Sequence, residues 1–353
     1  LREHGNEVRV IATGKPADYK YAVRQMRFFP IVEHLITSQG MRLAIPNKHV
    51  FEKAAAWADV VHFMMPSPLG VMGLKHVEKL GIPHTAAFHC QPENITFTLH
   101  MGNSKRVNDF VYNRFRDSFF NRFTHIHCPS NMIANQLRQH GYTAKLHVIS
   151  NGISPQYQYG KKPKEPWMEG FFNVLMVGRY AGEKRQDVLI EACAKSRYAD
   201  RIQVILAGKG PLENKYRRLA KKLHNPIVME FYEPDRLLEI LHMADLYVHT
   251  SDAEIEAMSC MEAFACGLVP VIANSPRSAT PQFALDSQSL FPAGDSDALA
   301  RRIDWWIEHP QERVEMEKRY AEHAKRYALD LSIQQTEDMF RQAIEEQKVG
   351  SAQ

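Results

Sequence analysis

A chain of 353 residues that is 44% hydrophobic exceeds one ordinary domain and carries apolar material for two cores, which excludes a disordered or fibrous polymer. A net charge of only +4, with an isoelectric point near 8.7, excludes a surface basic enough to track nucleic acid along its length. Cys90, Cys128, Cys193, Cys260 and Cys266 are scattered without metal-ligand spacing, which points to a reducing cytoplasm, and no run reaches the roughly 18 apolar residues of a membrane-spanning helix.

In chain order, residues 1–7 read as the tail of a helix stopped at Gly5, and residues 8–12 as a buried strand. An α/β domain rarely begins this way, so an earlier strand and loop are expected to precede Leu1. Apolar runs at 8–12, 60–64, 84–89, 125–128 and 146–149 alternate with segments long enough for crossover helices, the pattern of a covered parallel sheet. Pro155, Gly160, Pro163 and Pro166 then lie among lysines, as in a linker. A second series follows at 173–177, 203–207, 228–231, 246–250 and 269–273. Beyond Ser296 the pattern is that of amphipathic helices, with Trp305 and Trp306 as packing residues and a last long helix at 331–349.

The expected fold is α/β, with two Rossmann-like, doubly wound halves and a ligand cleft between them. Its parts are an N-terminal domain at 1–155, a linker at 156–170, a C-terminal domain at 171–325 and a closing helical segment at 326–353 that packs back on the N-terminal domain.

Two stretches carry chemistry. The run from Val174 through Gly178 ends a buried strand in a turn holding Arg179 and Lys184. Beyond the carboxyl end of such a strand, Arg can fork onto phosphate oxygens and Lys can add a point charge, which suits a diphosphate. A solvated basic loop would have the same residues. Farther on, Glu254 lies in a loop after the strand at 246–250, a helix starts near Ser259, and Gly267 stops it. Glu254 and Glu262 can accept hydrogen bonds from sugar and ribose hydroxyls, while N–H groups around Met258 and Ser259 face phosphate. Ser259 and Glu262 also have the spacing of a capping box. His89, closing the strand at 84–89, reads either as a structural residue or as a partner for a sugar hydroxyl. Asn151-Gly152 reads as a turn.

Together these residues resemble family 4 of the retaining glycosyltransferases. Glu254 and Glu262 have the seven-residue spacing of its signature, and Ala263 through Val271 resemble the small-residue helix and Gly-x-Pro-Val that follow, with one extra residue before Pro270. Val177-Gly178-Arg179 with Glu183-Lys184 is similar to its diphosphate element, and Gly208-Lys209-Gly210-Pro211 to its Gly-x-Gly-Pro turn. Pro129-Ser130 and the run from Val148 to Ile153 look like the landmarks that close its first domain.

The resemblance implies the two-domain GT-B fold and a nucleotide-sugar donor, with a UDP-hexose as the choice. It implies transfer with retention and no metal cofactor, because Arg179 and Lys184 hold the diphosphate. Glu254 would then contact the transferred sugar, Glu262 the ribose and His89 the sugar, with Gly208, Met258 and Ser259 completing the donor site. The family's loop of Gly-Phe-Gly-type residues is replaced here by Ile255-Glu256-Ala257-Met258-Ser259, which adds an acid. The family's first strand and Gly-rich loop would precede Leu1.

For the acceptor, Lys105, Arg106, Arg114, Arg116 and Arg122 are interleaved with Phe110, Tyr112, Phe115, Phe119, Phe120 and Phe123. Such a stretch suits an anionic membrane surface, and equally a helix whose aromatics fill a core while its arginines stay wet. With Phe88-His89-Cys90-Gln91-Pro92-Glu93-Asn94 before it, this stretch is similar to bacterial enzymes that glycosylate diacylglycerol-type lipids. That similarity implies a lipid or glycan acceptor and a cytoplasmic protein peripheral at the inner face of the membrane. A Rossmann dehydrogenase is disfavoured, since no Gly-x-Gly-x-x-Gly opens a helix after a strand. A phosphorylase, a sugar-nucleotide epimerase, or a sugar-nucleotide-binding protein without catalysis are the alternatives on the same fold.

Overall fold

The structure is a computed structural model that describes residues 1–29, 33, 42–98 and 101–351. The chain divides into two compact units, Leu1–Ser150 with Ser332–Gln353, and Asn151–Leu331.

In the first unit, β1 (Val10–Thr13) pairs in parallel with β2 (Lys20–Val23) as a separate two-stranded sheet. A parallel four-stranded sheet follows, running in chain order through β3 (Val61–Phe63), β4 (His84–Ala87), β5 (His125–Cys128) and β6 (Lys145–Val148). Local signals set its helices. Ser67 accepts the Gly70 N–H at the start of Pro68–Leu80, and Gly81, at φ +65°, ends that helix in a left-handed conformation a side chain would resist. Ser130 likewise caps Asn131–Gln139 through the Ile133 N–H. Phe63, Phe88, Phe119, Phe120 and Phe123 are buried and meet ring to ring. The last helix, Leu329–Ser351, bonds into this unit, with Glu346 2.9 Å from His125 Nε2 and Glu337 accepting from Asn6 at 2.7 Å.

The second unit is built on a parallel six-stranded sheet whose strands are β7 (Phe172–Val177), β8 (Ile202–Ala207), β9 (Val228–Glu230), β10 (Leu246–His249), β12 (Pro270–Asn274) and β14 (Leu290–Pro292). The two-residue strands β11 (Ala253–Glu254) and β13 (Arg277–Ser278) pair with each other beyond it. The order is β14-β12-β10-β7-β8-β9. The chain therefore moves outward from β7 through β8 and β9, then returns to β10 on the other side of β7. The loops leaving β7 and β10 diverge at this reversal, where a doubly wound sheet offers its ligand crevice.

Residues expected to form a linker lie inside the second unit. Lys164 donates to Asp245 at 2.6 Å, and the Lys162 N–H donates to the His242 carbonyl at 3.0 Å. Trp306 is fully buried and Trp305 stacks on His309, so both pack as expected.

Candidate functional site

The site is assembled where β7 and β10 part. Glycines allow the loops after β7 and β8 to touch. A Cβ on Gly208 would sit 2.1 Å from the Gly178 carbonyl oxygen, and one on Gly210 would sit 2.5 Å from that of Tyr180. The packing is sealed by bonds from the Gly178 N–H to the Ala207 carbonyl (2.9 Å) and from the Tyr180 N–H to the Lys209 carbonyl (3.1 Å). Gly208 thus has a backbone-packing role of its own.

From this base the loop reaches Lys184, whose backbone carbonyl accepts from the Thr250 hydroxyl at 2.7 Å. The Lys184 ammonium contacts the Glu254 carboxylate directly. Glu254 is fixed from behind, because β11 pairs with β13 and its carbonyl accepts the Ala279 N–H at 2.8 Å. Burial alone would raise the Glu254 pKa, but Lys184 and the neighbouring His249 outweigh it and hold the acid at about 2. His249 is buried, its Nε2 3.7 Å from the carboxylate, and its own pKa is pulled down by that burial against the pull of Glu254.

The other candidates face different partners. Arg179 donates to the buried Glu183 at 2.7 Å. Glu262 is bonded to Tyr157, and burial lifts its pKa to about 7 against that bond. Ser259 accepts from Tyr247 at 3.0 Å and donates to the Val177 carbonyl at 3.3 Å, which ties the helix Met258–Ala265 to the end of β7. The capping box therefore does not form. The helix begins one residue earlier than Ser259, with Ala257 as a left-handed N-cap at φ +66° and no side-chain cap. His89, in the first unit, follows the end of β4, its ring 5.2 Å from that of His127. Burial and His127 bring its pKa to about 4, so the imidazole is neutral near pH 7.

Sequence reasoning missed several members of this constellation. Arg185 adopts φ +54°, an unusual left-handed conformation for a non-glycine, and bonds Asp252 at 3.1 Å and Asp187 at 3.2 Å. Asp252 also lies 4.0 Å from Arg277. A basic residue next to Lys184 was the only sequence signal for Arg185, and nothing in the spacing pointed to Tyr157.

Two family models tile the chain. The one described as Glycosyltransferase Family 4 matches residues 1–157, and the one described as Glycosyl transferases group 1 matches residues 160–327. The chain belongs to glycosyltransferase family 4. The alpha-monoglucosyldiacylglycerol synthase of Streptococcus pneumoniae is 24% identical over 61% of this chain and 52% of its own. The chain spans about half the length of the first curated relatives it matches. The solved catalytic domain of the cholesterol-alpha-glucosyltransferase of Helicobacter pylori is 49% identical, covering 44% of this chain and 99% of its own, at a TM-score of 0.44. Anabaena HepE, solved in complex with UDP and glucose, superposes at a TM-score of 0.67 with 18% identity, covering 83% of this chain and 82% of its own. This family 4 chain has the GT-B fold, with two α/β units built on parallel sheets.

The basic and aromatic stretch of this family 4 chain sorts by burial. Tyr112, Phe119, Phe120 and Phe123 are in the core, which for these aromatics selects the second of the two readings of the stretch. Arg116 bonds the His140 carbonyl at 2.5 Å and Asp117 at 2.7 Å, Arg122 pairs with Glu78, and Lys105 with Asp109 at 2.6 Å. On the helix Lys105–Ser118, Arg106, Phe110 and Arg114 recur every fourth residue and are exposed, Phe110 by 68%. No helix among the described residues is long and apolar enough to cross a membrane.

Proposed function

We propose that this chain transfers a hexose, with retention, from a nucleoside-diphosphate sugar to an acceptor hydroxyl. UDP-hexose is the donor, and the acceptor is a lipid or glycan met at the inner face of the cytoplasmic membrane. The observation that carries the reading is the Lys184–Glu254 contact at the reversal of the second sheet, a cation beside an acid held ionised.

In this mechanism Lys184 and Arg179 bind the diphosphate and offset negative charge as the bond from the sugar's anomeric carbon to the phosphate oxygen breaks. Glu254 accepts hydrogen bonds from the sugar, Glu262 from the ribose, and the N–H groups at Met258 and Ser259 face phosphate at a helix start that no side chain caps. Gly208 lines the base of the pocket, and neutral His89 bonds a sugar hydroxyl. The acceptor oxygen attacks from the face the phosphate leaves, its proton passes to the departing phosphate oxygen, and no side chain becomes covalently attached.

Support for the donor comes from the solved UDP and glucose complex of HepE. Support for a lipid acceptor comes from the name of the pneumococcal relative and from the exposed stripe of Arg106, Phe110 and Arg114. The test is a screen of nucleotide sugars against lipid and glycan acceptors with mass detection of the product. Transfer is expected with wild type and lost with Lys184→Ala. Epimer or sugar phosphate as the product, or undiminished transfer by Lys184→Ala, would overturn the reading.

A further inference from the structure

We propose that Glu256 is a positioning residue: its carboxylate fastens the loop between Glu254 and the helix Met258–Ala265 to Asn151, and so sets the aim of that helix start. The proposal rests on reading that loop as the donor site, and goes beyond it by assigning a role to the acid that replaces the family's small and aromatic residues.

Glu256 is only 1% exposed. A carboxylate so deeply buried is costly unless donors satisfy it. One oxygen, Oε2, accepts both the backbone N–H of Asn151 at 2.9 Å and its side-chain amide at 2.7 Å. Asn151 opens the second unit. The strand of chain it begins is itself secured, because the Ile153 N–H donates to the Tyr327 carbonyl at 2.7 Å and the Ile153 carbonyl accepts from Leu329 at 3.0 Å. Glu256 therefore binds to a braced segment.

The loop needs such an anchor. Immediately after Glu256 the backbone turns through Ala257 at φ +66°, a left-handed conformation that strains a non-glycine residue and persists where neighbours hold it. On one side the Ala279 N–H and the β11–β13 pair hold Glu254, and on the other Ser259 ties the new helix to Val177. Glu256 holds the middle. Where a glycine would make the turn without strain, this chain has Ala257, and the acid just before it is clamped to Asn151.

The role predicts an effect on donor binding more than on the chemical step. For Glu256→Ala, UDP is expected to bind at least tenfold more weakly and the donor KM to rise in step, while kcat moves less than threefold. Glu256→Gln, which keeps one acceptor oxygen, should show a smaller loss, and Asn151→Ala a loss of a few fold. Because the two residues act through one contact, the double substitution should be no worse than Glu256→Ala alone.

The experiment combines calorimetric titration with UDP and amide hydrogen exchange across residues 254–260, on wild type, both Glu256 variants, Asn151→Ala and the double variant. Faster exchange in this loop with weakened UDP binding is the expected result. Unchanged exchange in Glu256→Gln and Asn151→Ala, or fully additive losses in the double variant, would overturn the proposal. If wild type binds no UDP, the donor reading fails, and the exchange data still decide whether Glu256 holds the loop. Should Glu256→Ala not fold, Glu256→Gln and Asn151→Ala decide both points.

Discussion

Lys184 and Glu254 are 70 residues apart in sequence, and their side chains are in contact at the carboxyl ends of β7 and β10. The pair is largely shielded, at 19% and 13% exposure, so neither charge is well solvated by water. Removing one partner leaves the other uncompensated, at about 3–5 kcal/mol for a buried pair. Lys184→Ala is therefore expected to lower stability, to release Glu254 toward an ordinary carboxyl pKa, and to cut transfer by roughly 100-fold or more. Lys184→Ala combined with Glu254→Ala should cost less stability than the sum of the two, which chemical denaturation of all four proteins measures.

Glu254 and Glu262 have opposite signatures against pH. The Glu254 pKa is depressed to about 2 from 4.5, so its contribution to stability is present above pH 4.5 and lost as pH falls toward 2. That of Glu262 is raised to about 7 by burial, so its contribution is full below pH 4.5 and is lost as pH rises through about 7. Binding runs the other way, since an ionised Glu262 is the better acceptor for ribose hydroxyls. UDP affinity should strengthen as pH rises through about 7, and Glu262→Gln should remove that step while leaving the titration of UDP itself. His89, held near 4, contributes no step there.

Gly208 tests the contact between loops. With a Cβ only 2.1 Å from the Gly178 carbonyl oxygen, Gly208→Ala must push two backbones apart, an overpacking cost of about 1–3 kcal/mol. The denaturation midpoint should fall and UDP binding should weaken with it. A stable variant with normal UDP affinity would show that the two loops separate freely.

The second unit is legible in sequence because its strands are short apolar runs, two of them (β7 and β8) closed by Gly178 and Gly208, and because polar residues beyond their ends gather at the reversal between β7 and β10. Lys184 and Glu254 lie where that rule places cleft residues, and it is the family resemblance that chooses this over a solvated basic loop. The partners of the remaining residues do not. Tyr157 reaches Glu262, and Asn151 reaches Glu256, through folding of a segment whose prolines and lysines look like a linker. Ser259 has the spacing of a capping residue, yet its hydroxyl meets the Val177 carbonyl instead. β2 at Lys20–Val23 carries too short an apolar run to stand out. Along 105–123 the aromatic count is visible but its sorting is not, because Phe119, Phe120 and Phe123 follow the end of the helix and turn into the core.

That sorting narrows the membrane prediction to three residues. Arg106, Phe110 and Arg114 are four residues apart on one exposed helical stripe, whereas Arg116 and Arg122 are engaged with His140, Asp117 and Glu78. A basic side chain near an anionic surface contributes about 1 kcal/mol, so Arg106→Gln with Arg114→Gln should weaken binding to phosphatidylserine-containing vesicles by roughly 30-fold. Phe110→Ser removes the apolar contact and should weaken binding at both low and high salt, while the arginine effect should fade as salt rises. Arg122→Gln should leave vesicle binding unchanged and lower stability slightly through loss of Glu78. Flotation of the three variants beside wild type reads all of this. Equal binding by the Arg106/Arg114 variant and wild type at low salt would remove this helix as the membrane contact and leave the soluble transfer reaction to be judged by itself.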